Sequence, residues 1–313
     1  MNLIEFVKKH GDEASCKAHF KQLREISGIC CRKCQDTNLH WLKDYDRWQC
    51  RGCGAQTSLR SGTLLEFSKL PYHYWFYALY MMSSRKKSIS AMELQRQLGH
   101  KRYEPVWQMM HKIRRMMGRR DSAYQMQGLT EIDDAFIRVY QKEHESENQD
   151  DTDSSAQKRG RGSQRMRSII VMAKTAPGKS SKKKNSKPTA FEYVRMQVVD
   201  NLRKETVDQA TSNIHQDTVV VSDNMKFFKV LDKRVKEHHA FNLPKERSSM
   251  ALPWVHIMIA NLKRNLHGIH HSIKDKWLQS YLDEYSYKTN RRNFEMDVFD
   301  RTLVAAIEAP WYS

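Results

Sequence analysis

Apolar positions recur with a helical period through the first 120 residues and change to a strand-like pattern beyond them. Ile4 and Val7, then Cys16, Phe20 and Leu23, mark one face each, so residues 3–26 predict two short helices. Pro71 opens an apolar-aromatic helix over Tyr72–Met82, closed by Ser83, Ser84 and three basic residues. Ser90, with Glu93 three positions later, reads as a capping box for a short helix over Ala91–Leu98. Gly99-His100 makes a turn, and a longer helix follows over Glu104–Met117, with Pro105 tolerated in its first turn. On that helix Val106, Met109, Met110 and Ile113 are expected inside. Lys112, Arg114 and Arg115 are expected outside, with Arg119 and Arg120 just beyond. A short helix, a glycine turn and a longer basic helix form a helix-turn-helix pattern.

In the second half, Leu129–Tyr140, Ser168–Ala173, Phe191–Val199 and Thr218–Ser222 are β-rich runs, and Arg203–Ile214 predicts a helix between the last two. Residues 141–166 hold no apolar cluster. Six acids fall within Glu143–Asp153, and Lys158-Arg-Gly-Arg-Gly follows. Residues 175–188 are rich in Lys, Ser and Pro. Both stretches read as exposed loops or hairpin tips. Eleven Lys or Arg and no acid lie between 158 and 187, which suits phosphate contact and makes Arg159 and Arg161 candidates for it. The order strand, strand, strand, helix, strand, helix is that of a ribonuclease-H-like α/β core.

Composition narrows the class. A chain of 313 residues has room for two domains, or for one larger domain with small appendages. Hydrophobic residues make up 39%, enough for a packed core. No run of 18 apolar residues exists, which excludes a helical membrane span, and the N-terminal stretch lacks the apolar segment of a secretory signal. Lys and Arg number 54 against 36 Asp and Glu, a formal charge of +18 that calls for a polyanionic partner such as nucleic acid.

Two groups of residues carry chemistry. All six cysteines lie before residue 54. Cys31-Arg-Lys-Cys34 and Cys50-Arg-Gly-Cys53 are C-x2-C knuckles separated by fifteen residues, a spacing that turns four thiolates onto one tetrahedral ion and suits Zn²⁺. Gly52 and Gly54 supply turn freedom, and Trp41, Tyr45 and Trp48 between the knuckles read as short strands. Cys30 offers a rival register with Cys34, and Cys16 reads as a buried thiol. The second group is acidic. Asp133 lies within the first long strand and Asp223 directly follows the apolar run Val219–Ser222. Neighbouring strands would bring the two carboxylates together, where they could hold two Mg²⁺ ions. Pro253 can open a helix that Gly268 ends. His256 lies on it, 33 residues after Asp223, with Lys263 on the same face. His256 could ligate the metal or act as acid or base, and Lys263 could contact a phosphate.

The motifs together resemble bacterial insertion-sequence transposases of the DDE class that carry an N-terminal zinc ribbon. The resemblance covers nearly the whole chain. It rests on Cys50-Arg-Gly-Cys53-Gly-Ala-Gln-Thr-Ser, Ser61-Gly-Thr-Leu, Lys69-Leu-Pro, Ile89-Ser-Ala-Met-Glu-Leu, Glu131-Ile-Asp133, Lys158-Arg-Gly-Arg-Gly, Val-Ser-Asp223, Asn261-Leu-Lys263-Arg264 with His270-His271, and the Tyr281–Arg292 signature. It implies a multidomain α+β chain: N-terminal helices at 1–27, a zinc ribbon at 28–68, a helix-turn-helix region at 69–122, and a ribonuclease-H-like catalytic domain at 128–313 with a charged insertion near 141–188. Asp133 and Asp223 become the metal-binding aspartates, His256 stands where many relatives have Glu, and Lys263 stands at the associated Lys. Asp134 replaces the usual Glu beside the first aspartate and is expected to support the site, not to ligate. The implied cofactors are structural Zn²⁺ and two catalytic Mg²⁺ or Mn²⁺ ions, with Mn²⁺ tolerated better than in Glu-bearing relatives. The implied partners are double-stranded element ends and target DNA, bound by a dimer or larger assembly in the bacterial cytoplasm beside the nucleoid. Lys112, Arg114, Arg115 and Arg119 join Arg159 and Arg161 as candidate DNA contacts. The competing class is a non-catalytic zinc-ribbon DNA-binding regulator.

Overall fold

The computed structural model describes residues 1–140, 166–177, 189–242, 251–270 and 273–309. Arg159, Arg161, the acidic run of residues 143–153 and His271 lie outside these residues. The chain divides into two compact units. One gathers residues 1–120 with Arg291 onward, and the other is Asp121–Asn290.

The first unit opens with α1 (Leu3–His10), which Asn2 and Glu5 close with a reciprocal capping box, and α2 (Glu13–Ile26), capped by Asp12. A three-stranded antiparallel ribbon follows: β1 (Leu39–Leu42), β2 (Arg47–Cys50) and β3 (Gln56–Ser58). Trp41 faces Trp48 across β1 and β2, with ring centroids 4.6 Å apart. Then come α3 (Tyr72–Ser84), α4 (Ala91–Leu98) and α5 (Tyr103–Ser122). Ser90 accepts from the Glu93 N–H to start α4, and Gly99 ends it at φ +62°, where a side chain would be strained. α3 is apolar nearly all round and is buried accordingly. Trp75, Phe76, Leu79 and Met82 are almost fully enclosed, each contributing about 1.5–3 kcal/mol of transfer free energy. The last helix, α9 (Val298–Glu308), belongs to this unit because Phe299 enters the aromatic cluster of Phe6, Phe76 and Tyr80. The resemblance had assigned that stretch to the catalytic domain.

One expectation on α5 is corrected. Arg114 is 1% exposed and does not face outward. The buried side of α5 takes in Val106, Met109, Met110, Ile113, Met116 and Met117, and Arg114 falls inside that wide arc. Lys112 is half-buried, its Nζ donating to the Glu66 carbonyl at 3.0 Å. Arg115 and Arg120 are exposed and Arg119 is intermediate.

The second unit is a mixed five-stranded sheet in the order β6-β5-β4-β7-β8. Its strands are β4 (Leu129–Arg138), β5 (Met166–Pro177), β6 (Thr189–Val199), β7 (Val219–Asp223) and β8 (Glu237–Phe241). β4, β5 and β6 pair antiparallel, whereas β4–β7 and β7–β8 are parallel. α6 (Lys204–Ala210) makes the crossover to β7, and α7 (Pro253–Ile269) and α8 (Leu278–Asn290) complete the unit. Alternation along the strands builds a core on each face. Ala135, Ile137, Ile169 and Val171 pack with Val255, Met258 and Leu262 of α7 and Leu282 of α8. Ile132, Ile170, Met172 and Val220 pack with Val207, Phe228 and Leu231.

The outer edge of β6 is met by side-chain amides of α8. Asn290 accepts from the Val194 N–H at 2.7 Å and donates to the Val194 carbonyl at 3.0 Å. Gln279 accepts from the Val198 N–H at 2.8 Å and donates to the Met196 carbonyl at 3.0 Å. The two amides occupy strand-edge groups that would otherwise invite pairing with another chain.

Candidate metal centres and cleft

The two knuckles are built alike. In the first, the Cys31 N–H donates to the Asp36 carbonyl at 2.8 Å, and the Gln35 N–H returns to the Cys31 carbonyl at 2.8 Å. In the second, Cys50 pairs with Ala55 and Gly54 with Cys50, both at 2.9 Å. The residue four after the cysteine takes positive φ in each, Gln35 at +61° and Gly54 at +72°. Gly52 serves differently. A Cβ there would lie 2.8 Å from the Asp36 carboxylate, so a side chain would push that carboxylate aside.

Cys31, Cys34, Cys50 and Cys53 place ligand atoms within 4.8 Å of one another, with Sγ–Sγ separations of 3.4–3.5 Å among them. Four thiols in that arrangement fit a zinc ribbon. Cys30 stays outside the group, exposed, with its Sγ 3.5 Å from the Gln35 Oε1. Backbone N–H groups of Cys34 and Lys33, not basic side chains, hold the Cys31 thiol down to about 6. Cys16 is buried, and burial pushes its thiol up to about 12. A salt bridge ties the first knuckle to the segment after the ribbon. Arg32 reaches both oxygens of Glu66 at 3.1 and 3.3 Å, and the Gly62 N–H donates to the same carboxylate at 2.9 Å.

In the second unit, β4 and β7 run parallel in the register Ile132↔Ser222, so the next residue on each strand is an aspartate. Asp133, Asp134 and Asp223 bring carboxylate oxygens within 4.8 Å of one another, and all three are half-buried. Asp134 was expected to support the site. It takes part in the acidic group, and its N–H donates to the Asp133 Oδ1 at 2.8 Å. His256 meets the group from α7, its Nε2 3.0 Å from the Asp133 Oδ2. That hydrogen bond raises the imidazole above its ordinary range. Burial opposes the rise, and the charges of Asp133, Glu131 and Asp223 reinforce it. Lys263, seven residues along α7, lines the same open cleft of about 480 Å³ with Ile259, Ala260, Ala135 and Phe136.

Behind Asp223, the Ser222 Oγ lies 2.7 Å from the His238 Nε2 and 2.8 Å from the Asp223 carbonyl oxygen, and the His238 Nδ1 pairs with Asp232. Ser222 is fully buried, so this Ser-His-Asp chain braces β7 against β8 and presents no nucleophile. Sequence reasoning missed it because β8 carried no apolar signal. It also gave Glu131 no role, although alternation puts Glu131 on the face of β4 that Asp133 occupies.

The fold and site define an α/β domain with an acidic cluster suited to divalent cations, joined to a four-thiol ribbon. Residues 125–290, more than half of the chain, match the family model of the ISXO2-like transposase domain, so the chain belongs to that family of insertion-sequence transposases of the DDE class. No curated protein and no solved structure matches. No helix among the described residues is long and apolar enough to cross a membrane.

Proposed function

We propose that this protein binds the terminal inverted repeats of an insertion sequence, cleaves the element ends by metal-dependent phosphodiester hydrolysis, and joins the released 3′-hydroxyls to target DNA. The observation that carries the reading is the meeting of Asp133, Asp134 and Asp223 with His256 in a cleft within the matched family domain.

The donor chemistry supports two kinds of ion. Carboxylate oxygens are hard ligands suited to Mg²⁺ or Mn²⁺, and four thiols are soft ligands suited to Zn²⁺. Asp133, Asp223 and His256 would hold the catalytic ions, and Cys31, Cys34, Cys50 and Cys53 the structural one. When bound, two divalent ions activate the attacking oxygen and stabilise the leaving oxygen. Asp133 orients His256 through the 3.0 Å contact between its Oδ2 and the ring Nε2. Lys263 supplies a point charge for a phosphate entering the cleft. A helix-turn-helix reading of α4 and α5 and a ribonuclease-H-like reading of the sheet belong to the same proposal. Arg115 and Arg119 are the proposed DNA contacts of the first unit, with Lys112 as a further one once its Nζ leaves the Glu66 carbonyl; Arg114, being buried, is not. Two element ends need two active sites, so a homodimer or larger assembly forms on DNA.

The test is end cleavage. Zinc-loaded full-length protein is mixed with a labelled duplex carrying the element's true end, in Mg²⁺ and separately in Mn²⁺. Cleavage is expected in both, faster in Mn²⁺ because a neutral imidazole replaces a carboxylate. Binding without cleavage in either metal would favour a non-catalytic DNA-binding regulator instead.

A further inference from the structure

Among the described residues, α3 and α7 start directly after or at a proline and carry no side-chain cap of their own. α3 follows Pro71, and α7 starts at Pro253 after Leu252. In each case a glutamate from a distant element supplies the acceptor. Glu13 of α2 takes the N–H groups of Tyr72 and His73 at 2.9 Å each. Glu131 of β4 takes those of Trp254 and Val255 at 2.8 and 3.0 Å, both through Oε2.

The second cap stands beside the acidic cleft. Pro253 has no N–H and Leu252 has no side-chain acceptor, so Glu131 satisfies the two N–H groups of α7 that need a partner before the helix's own ladder begins with His256 N–H to the Leu252 carbonyl. Glu131 is 3% exposed, and the positive end of the helix dipole favours a carboxylate there. The residue after Val255 is His256, whose Nε2 meets Asp133, two residues along β4 from Glu131. Strand period two turns Glu131 and Asp133 to the same face. The strand therefore grips the helix twice, through its first-turn backbone at Glu131 and through the His256 ring at Asp133. Glu131 is not among the three carboxylates that converge within 4.8 Å.

We infer that Glu131 is a positioning residue: by capping α7 it fixes the axial and rotational placement of His256 against Asp133 and Asp223. The inference rests on the proposed cleavage activity. What it requires of Glu131 is first reach and an acceptor oxygen; charge adds only the helix-dipole contribution. Glu131→Gln keeps the reach and the oxygen. Glu131→Asp keeps the charge but is one methylene too short to reach Trp254 and Val255. Capping therefore predicts that Gln works and Asp fails, the reverse of what metal ligation or a purely electrostatic role would give.

The experiment measures single-turnover end cleavage in Mn²⁺, the apparent affinity for end DNA, and hydrogen exchange over residues 252–258, in full-length wild type, Glu131→Gln, Glu131→Asp, Asp133→Asn and Asp223→Asn. Glu131→Gln is expected to keep cleavage within a few-fold and wild-type exchange. Glu131→Asp is expected to lose on the order of a hundred-fold in cleavage, as sub-ångström to ångström misplacement of a catalytic group does. It should bind DNA unchanged and exchange faster in the first turn of α7 alone. The inference is overturned if Glu131→Asp cleaves like wild type, or if Glu131→Gln is as slow as Glu131→Asp while the helix stays protected. Failure of the functional reading looks different: Asp133→Asn and Asp223→Asn would then cleave normally, whatever the Glu131 variants do.

Discussion

Acid should loosen the N-terminal unit chiefly through one residue, His10. It closes α1 and is 5% exposed. Phe6, Phe76 and Phe299 surround it with ring centroids at 5.2–5.6 Å, and His19 stacks on it at 4.8 Å. Among the described residues neither ring nitrogen has a hydrogen-bond partner. Burial first, then the charges of His19 and Lys9, bring its pKa from 6.5 down to about 4. The folded state thus resists a proton that the unfolded chain accepts. The stabilising contribution is complete above pH 6.5 and is lost as pH falls toward 4. Linkage between those two values gives a loss of about 2 kcal/mol between pH 7 and pH 5. His19, also lowered mainly by burial, pulls the same way. Urea unfolding of the full chain, followed by hydrogen exchange over α1 and α3 of the N-terminal unit, reads this directly. Wild type should lose about 2 kcal/mol across that interval, and His10→Phe, which suits the aromatic surroundings, should lose clearly less. Equal pH dependence in the two proteins would refute the argument.

Three further outcomes are expected. Asn290→Ala removes both strand-edge hydrogen bonds at Val194 and the one to Asp121, and should lower stability by about 2–3 kcal/mol in calorimetry. Cys30→Ser should retain one zinc per chain by elemental analysis, whereas Cys31→Ser should not, since only Cys31 of the two lies in the four-thiol group. Arg114→Ala should destabilise by about 2 kcal/mol or more because the side chain is enclosed, whereas Arg115→Ala should stay within about 0.5 kcal/mol and weaken DNA binding in a salt-dependent way.

How far the fold could be read from the sequence depended on whether the signal was local. α3, the Ser90 cap, the Gly99 turn and strands β4 to β7 announced themselves through period, caps and apolar runs, with ends shifted by a few residues. β8 did not, because Glu-His-His-Ala-Phe lies at a sheet edge with four of five residues exposed, and no alternation is needed there. Arg114 was misplaced because a helix enclosed on most of its circumference has no simple outer face. The Cys30 and Cys31 registers differ by one residue, and the choice is made by backbone hydrogen bonds that no spacing rule contains. Asp133 and Asp223 could be paired in advance from the expected neighbour relation of their strands. The partners of Glu131 lie 123 and 124 residues away, and nothing local marks them. α9 joins the first unit by shape-matched aromatic contacts, which sequence order does not reveal.

Strand transfer separates a transposase from a DNA-binding regulator in one assay. Full-length zinc-loaded protein, a labelled duplex ending in the free 3′-hydroxyl of the element end, and a supercoiled plasmid are incubated with Mn²⁺, alongside Asp223→Ala. Wild type is expected to form end–plasmid joint molecules and the variant none, with both proteins binding the end equally well. Joint molecules formed equally by Asp223→Ala, or end binding by the wild type with no joining in Mg²⁺ or Mn²⁺, would contradict the proposed function.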